Sequence, residues 1–451
     1  MTATLSQPAS ATSRTSGHPK GLYVLAMTEM WERFSFYGMR ALLVYYMTKQ
    51  LAFSQEKSSQ IYGLYTGLVY LTPFFGGILA DRKWGQRKTV IIGGVLMAIG
   101  QFLMASEALF YPAMGFIILG NGAFKPNIST QVGSLYPDGD PRRDRAFGIF
   151  YVGINVGATL SPLLCGTLGE LYGWHYGFIL AGVGMIVALI VYIAGSKHLA
   201  PDNVMNVAAG AAPKKTVTTK REKQVIWALV ILCALNIVFW GVYEQQGNTL
   251  ALWADSDTDR HILRPFSDWE MPATWYQSFN PAMIFLFTPF LNMYWARQAR
   301  NGREPLSVAK MAIGCVLLAL SFALLIVAAR ANRSSLASIW WLVGSTALVT
   351  MGELYLSPVG LSLVTKVAPV RMVSMLMGFW FLSSFFGNYM CGFLGIFWEK
   401  MSKENFFLML TVLSAISAVA MWAVIRPLNK ALGENQPRPD EDPAPAGALL
   451  S

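Results

Sequence analysis

Seven ionisable residues stand inside stretches apolar enough to span a bilayer: Glu29, Glu32, Arg33 and Arg40 early in the chain, then Lys125, Glu244 and Glu353. On insertion scales a charged side chain at a helix centre costs about 2.5–3.5 kcal/mol, so charges kept there need partners and a use. Fixed pairing for stability alone is a weak reason to keep them, because buried ion pairs often stabilise less than apolar packing does. At about 100° per residue, Glu29, Arg33, Phe36 and Arg40 form one stripe of a helix, with Glu32 and Tyr37 at its borders. A stripe this polar cannot face lipid and must face a polar cavity. Lys125 precedes Pro126, and Glu353 lies five residues before Pro358. Proline frees backbone groups and lets a helix bend, so charge and hinge coincide, as a gate with pairs that form and separate requires.

With every group ionised, four carboxylates face three cations, a balance of −1. One carboxylate then lacks a fixed partner and is a candidate proton carrier. The histidines do not compete for that role, since His18, His175, His198 and His261 all fall in tails or loops. No HExxH, GxSxG or His-rich spacing occurs in the spans, so an enzyme is not expected. Neither a metal nor an organic cofactor is expected, only protons as coupling ion.

The elements that position these charges follow from composition. The chain has 451 residues, 54% hydrophobic and 13% charged, with 14 Trp and 27 Phe, more apolar side chain than a soluble domain buries. Cys165, Cys233, Cys315 and Cys391 are scattered in apolar runs and read as small core residues. The first 20 residues lack the apolar core of a cleaved leader. About 20 apolar residues cross a bilayer. Runs of that length are read near 22–50, 58–80, 89–106, 109–136, 146–170 and 175–195, and again near 223–254, 273–296, 307–329, 336–365, 372–398 and 405–425. The polar tract from Ser196 to Glu222 reads as a linker. The expected organisation is a tail over 1–20, a six-helix bundle over 21–195, a linker over 196–222, a second bundle over 223–427 and a tail over 428–451.

A net charge of +10 could signal nucleic acid, but the basic residues sit at helix ends, mostly in loops after even-numbered spans. No nucleic-acid partner is expected. That bias places those loops, and both termini, in the cytoplasm. Thr72-Pro73-Phe74 and Thr288-Pro289-Phe290 close the second and eighth spans, a faint repeat that implies two related halves with a site between them near the midplane.

The run Glu29-Met30-Trp31-Glu32-Arg33-Phe34-Ser35-Phe36-Tyr37-Gly38 resembles the ExxERFxYYG motif of the proton-dependent oligopeptide transporter (POT) family, within the major facilitator superfamily. The similarity extends from about Gly21 to Arg426 and includes Gly120 to Asn127, Phe147 to Gly157 and Gly352 to Gly360. The turn from Gly77 to Lys88, with Asp81, Arg82, Gly85 and Arg87, resembles the major facilitator signature between its second and third helices; there Asp81 would pair with a nearby arginine as a cytoplasmic gate. The resemblance implies an all-α membrane protein with 12 transmembrane helices in two six-helix bundles. It implies a proton-coupled importer of di- and tripeptides in the cell (inner) membrane, functional as a monomer.

Carried over by position, the resemblance implies that Arg33 and Lys125 hold the peptide carboxylate, and that Glu353 with Asn155 and Asn280 holds the amino terminus. Tyr37, Tyr70, Trp240, Trp380 and Ser357 would form the side-chain pocket. Glu29 and Glu32, with Arg33, would couple protons, and Arg40 and Glu244 would close the extracellular side; from their place beside prolines on opposite halves, Lys125 and Glu353 are expected to form the cytoplasmic gate pair. Phe36 stands where the motif often has Tyr, Gly63 stands where animal members have His, and the linker is short. The rival on the same scaffold is a carrier of another small solute such as nitrate.

Overall fold

The computed structural model describes residues 17–137, 140, 142–202, 219–369 and 372–433. The outer parts of both tails, the linker over 203–218 and Arg371 lie outside them. Twelve long helices are found among the described residues, in the order expected from the apolar runs. They are α1 (Lys20–Tyr45), α2 (Gln55–Leu79), α3 (Gln86–Leu103), α4 (Phe110–Ser134), α5 (Arg142–Tyr172) and α6 (Trp174–Gly195). The second set is α7 (Lys220–Ser256), α8 (Phe279–Arg300), α9 (Ser307–Ala331), α10 (Ile339–Val367), α11 (Val373–Gly395) and α12 (Lys403–Leu432).

Local chemistry starts and stops these helices. Ser54 caps α2 by accepting from the Lys57 N–H, and Thr219 with Glu222 forms a reciprocal capping box at the start of α7. Gly85, at φ 75°, turns the chain between α2 and α3, a conformation that costs a residue with a Cβ. Pro73, Pro126, Pro289 and Pro358 lie inside α2, α4, α8 and α10. Among the described residues, seven helices are long and apolar enough to cross a membrane by length and composition. The first helix is not among them, because it gives its length to Glu29, Glu32, Arg33 and Arg40.

Each half has its own core. In the first, α1 packs on α5 and α6, α3 on α4 and α6, and α2 on α4, around Leu25, Met97, Phe124, Phe178 and Met185. In the second, α9 packs on α10 and α12, and α7 on α11 and α12, around Leu232, Met311, Phe322, Phe407 and Leu410. Large apolar side chains such as Phe74, Leu119, Ile190, Trp227, Phe290 and Trp422 remain exposed, the surface a bilayer would solvate.

The halves meet along α2 with α11 and α5 with α8. They are tied together at the end where α1 finishes. Tyr45 donates to the Ala251 carbonyl at 2.8 Å, Lys49 pairs with Asp255 at 2.6 Å, Ser59 donates to Asn248 at 2.9 Å, and Glu170 accepts from the backbone of Ala273 and Thr274. The α2–α11 seam is close enough that a Cβ on Gly63 would stand 2.6 Å from the Gly392 backbone. A Cβ at Gly63 would therefore require the α2 and α11 backbones to move apart.

Candidate functional site

The charged stripe on α1 is buried, as its cost requires. Glu29, Glu32 and Arg33 are each no more than 3% exposed. Glu32 gives both oxygens to Arg33, with Nη2 to Oε1 at 2.7 Å and Nε to Oε2. Glu29 gives only Oε1, at 3.2 Å from Arg33 Nε, and its Oε2 has no hydrogen-bond partner among the described residues. Two carboxylates therefore share one guanidinium, and Glu29 is the less committed of them. Arg33 also stands 5.1 Å from the Phe36 ring centroid, so the residue in place of Tyr still contributes its aromatic face.

A cavity of about 160 Å³ opens between the halves. Tyr37, Tyr70, Asn155, Trp240, Asn280 and Glu353 line it, contributed by α1, α2, α5, α7, α8 and α10. A smaller recess, lined by Arg33, Lys125, Thr66 and Asn388, shares Tyr37, Arg40 and Tyr70 with it. Glu353 accepts from Tyr243 at 2.6 Å and Asn280 at 3.1 Å. Lys125 points its ammonium at the Tyr70 ring, 4.7 Å from the centroid. One wall thus presents a hydrogen-bonded carboxylate and the adjoining recess presents cations, an arrangement suited to a solute charged at both ends.

Arg40 and Glu244 form an ion pair between α1 and α7, through Nη2 and Oε2, and Arg40 Nε donates to the Tyr62 hydroxyl at 2.9 Å. This pair joins the ties that close one end of the molecule. Lys125 and Glu353 are not paired with each other in this conformation, since each is turned to the contacts just given. One of the two expected gate pairs is therefore closed while the other is apart.

Three expectations differ from what is found. Trp380 is 3% exposed and does not line the cavity; its ring fills the space over Gly360, where a Cβ would stand 2.1 Å from it. Ser357 is half-buried on α10 and lines neither recess. Asp81 and Arg82 are exposed, and Asp81 makes no ion pair with Arg87. The Arg87 guanidinium donates instead to the Leu199 and Ala200 carbonyls, and Asp202 accepts from the Arg87 N–H at the start of α3. Carbonyls beyond α6 therefore use the donors of Arg87, one of the arginines near Asp81. Among the residues that escaped the sequence reading are Thr66 and Asn388 in the recess, and Tyr62 and Tyr243 beside the charges. Tyr243 had a signal in being adjacent to Glu244, whereas Tyr62 had none.

Comparison with known proteins agrees with this architecture. The family model described as "POT family" matches residues 87–209 and 199–409. The chain is 37% identical over 427 residues to the uncharacterized transporter YclF of Bacillus subtilis, covering 82% of this chain and 86% of that one. It is 31% identical over 487 residues to a di-/tripeptide transporter of Lactococcus lactis subsp. cremoris, covering 93% and 97%. The crystal structure of peptide transporter POT in complex with sulfate superposes with a TM-score of 0.85 at 32% identity, covering 93% of this chain and 96% of that one.

Proposed function

From the premise that this chain belongs to the POT family, we propose that it is a proton-coupled symporter that imports di- and tripeptides by alternating access. The observation that carries the reading is the two-walled cavity, with Glu353 and Asn280 on one side and Arg33 and Lys125 in the adjoining recess. A guanidinium and an ammonium suit a peptide carboxylate, while a carboxylate beside the Asn280 amide, with Asn155 lining the same cavity, suits an ammonium with three donors. Tyr37, Tyr70 and Trp240 give the intervening wall aromatic surface that tolerates varied side chains.

The coupling ion is the proton, carried by the Glu29–Arg33–Glu32 cluster. Rearrangement of Arg40–Glu244 and of Lys125 with Glu353 opens the two sides in turn. The chain is a multi-pass membrane protein; its proposed place is the cell membrane with both termini cytoplasmic. Both halves of the cavity come from one chain, so a monomer is sufficient. The test is uptake into proteoliposomes under an imposed pH gradient. Dialanine and trialanine should be concentrated, and nitrate at millimolar levels should not compete. Competition by nitrate with no response to dialanine would replace this reading by that of a small-anion carrier.

A further inference from the structure

Glu353 is held by two donors that reach the same oxygen. Tyr243 donates to Oε2 at 2.6 Å and Asn280 Nδ2 donates to Oε2 at 3.1 Å. Both donors are themselves fixed. Asn280 also donates to Thr350 Oγ1 at 3.0 Å, and the Tyr243 ring stacks on Phe239 at 5.8 Å and 17° and meets Trp240 edge-on at 5.1 Å. No hydrogen bond from the described residues reaches Oε1, and Glu353 lines the cavity. That oxygen is the one left for cargo.

A carboxylate away from bulk water stays charged and oriented only while donors satisfy it. Hydrogen bonds to a charged group are also the strong ones. An ammonium on the cargo depends on both charge and aim, whereas an acetylated amino terminus offers a neutral N–H that gains much less from either. Tyr243 also precedes Glu244, the residue that closes on Arg40, so one turn of α7 serves both the carboxylate and the gate.

We propose that Tyr243 is a positioning residue for Glu353, and that its hydroxyl sets the demand for a free amino terminus on the cargo. The inference rests on the peptide reading above. Its test is Tyr243→Phe in the full-length protein, which keeps the ring contacts and removes only the hydroxyl. Dissociation constants are measured for dialanine and for N-acetyl-dialanine in the parent and the variant, and in both again after Glu353→Gln. Dialanine affinity should fall about tenfold in Tyr243→Phe while N-acetyl-dialanine affinity moves less than about twofold, which also reports that the variant is folded. In the Glu353→Gln background the same change should have no further effect, because the pair acts as one unit. A hydroxyl that only supports the fold would weaken both ligands alike. An unchanged ratio of the two affinities, or a full additional loss in the Glu353→Gln background, overturns the proposal. A parent that fails to prefer dialanine to its acetylated form overturns the peptide reading itself, a result read without any variant at position 243.

Discussion

Replacing Glu29 by Gln removes the one carboxylate of the α1 cluster that Arg33 does not fully occupy. Glu32 already supplies both oxygens to the guanidinium, and Glu29 Oε2 stands without a partner among the described residues. Charge on Arg33 therefore stays compensated in Glu29→Gln, and the cavity lining is untouched. The proposed coupling has this carboxylate carry one proton per cycle. An inward potential of ~100 mV contributes about 2.3 kcal/mol per charge, and one pH unit contributes about 1.4 kcal/mol. Together they support roughly 500-fold accumulation of a neutral dipeptide. In proteoliposomes carrying both gradients, the parent should approach that ratio, while Glu29→Gln should stop near equal concentrations inside and out. Counterflow of labelled dialanine against unlabelled dialanine, which needs binding and reorientation but no net proton movement, should persist in the variant. Concentrative uptake by Glu29→Gln equal to that of the parent would refute the assignment of the proton to this residue.

Glu244→Gln takes the charge from the partner of Arg40 at the closed end, and breaking a buried pair typically costs about 3–5 kcal/mol. Active uptake should be lost, and a cysteine placed near Tyr45 should become accessible to an impermeant thiol reagent from outside; unchanged labelling and uptake would count against the gate. Gly63→Ala would set a methyl 2.6 Å from the Gly392 backbone, so the α2–α11 seam should part at a cost of about 1–3 kcal/mol. Spin-label distances across that end should lengthen, and an unaltered distance distribution would show that the seam has room. Cargo length offers a separate check, since an extended chain grows by about 3.3–3.6 Å per residue while side-chain motion and a bridging water can absorb one such step. Dipeptides and tripeptides should compete with labelled dialanine, and tetrapeptides and free amino acids should compete poorly; equal competition by tetra-alanine would contradict charges held at both ends.

Properties written in local periodicity were legible in the sequence. Twelve apolar runs became twelve helices, and the Glu29–Arg33 spacing placed both side chains in contact. The prolines of α4 and α10 lie inside those helices beside Lys125 and near Glu353. A 3.6-residue repeat and the insertion cost of charge act within one segment, so one segment suffices to reveal them. Contacts between segments depend on how two bundles dock, and spacing carries no record of that. The pairing of Arg40 with Glu244, 204 positions away, entered through family resemblance and acquired its geometry, with Tyr62 completing it, only in three dimensions. Trp380 has the residue type of a pocket wall, yet the bare backbone at Gly360 draws its ring into the core. Arg87 had Asp81 close in sequence, but carbonyls beyond α6 lie where its donors point. Tyr243 acquires its role from meeting Glu353 across 110 positions, a meeting decided by the packing of the second bundle.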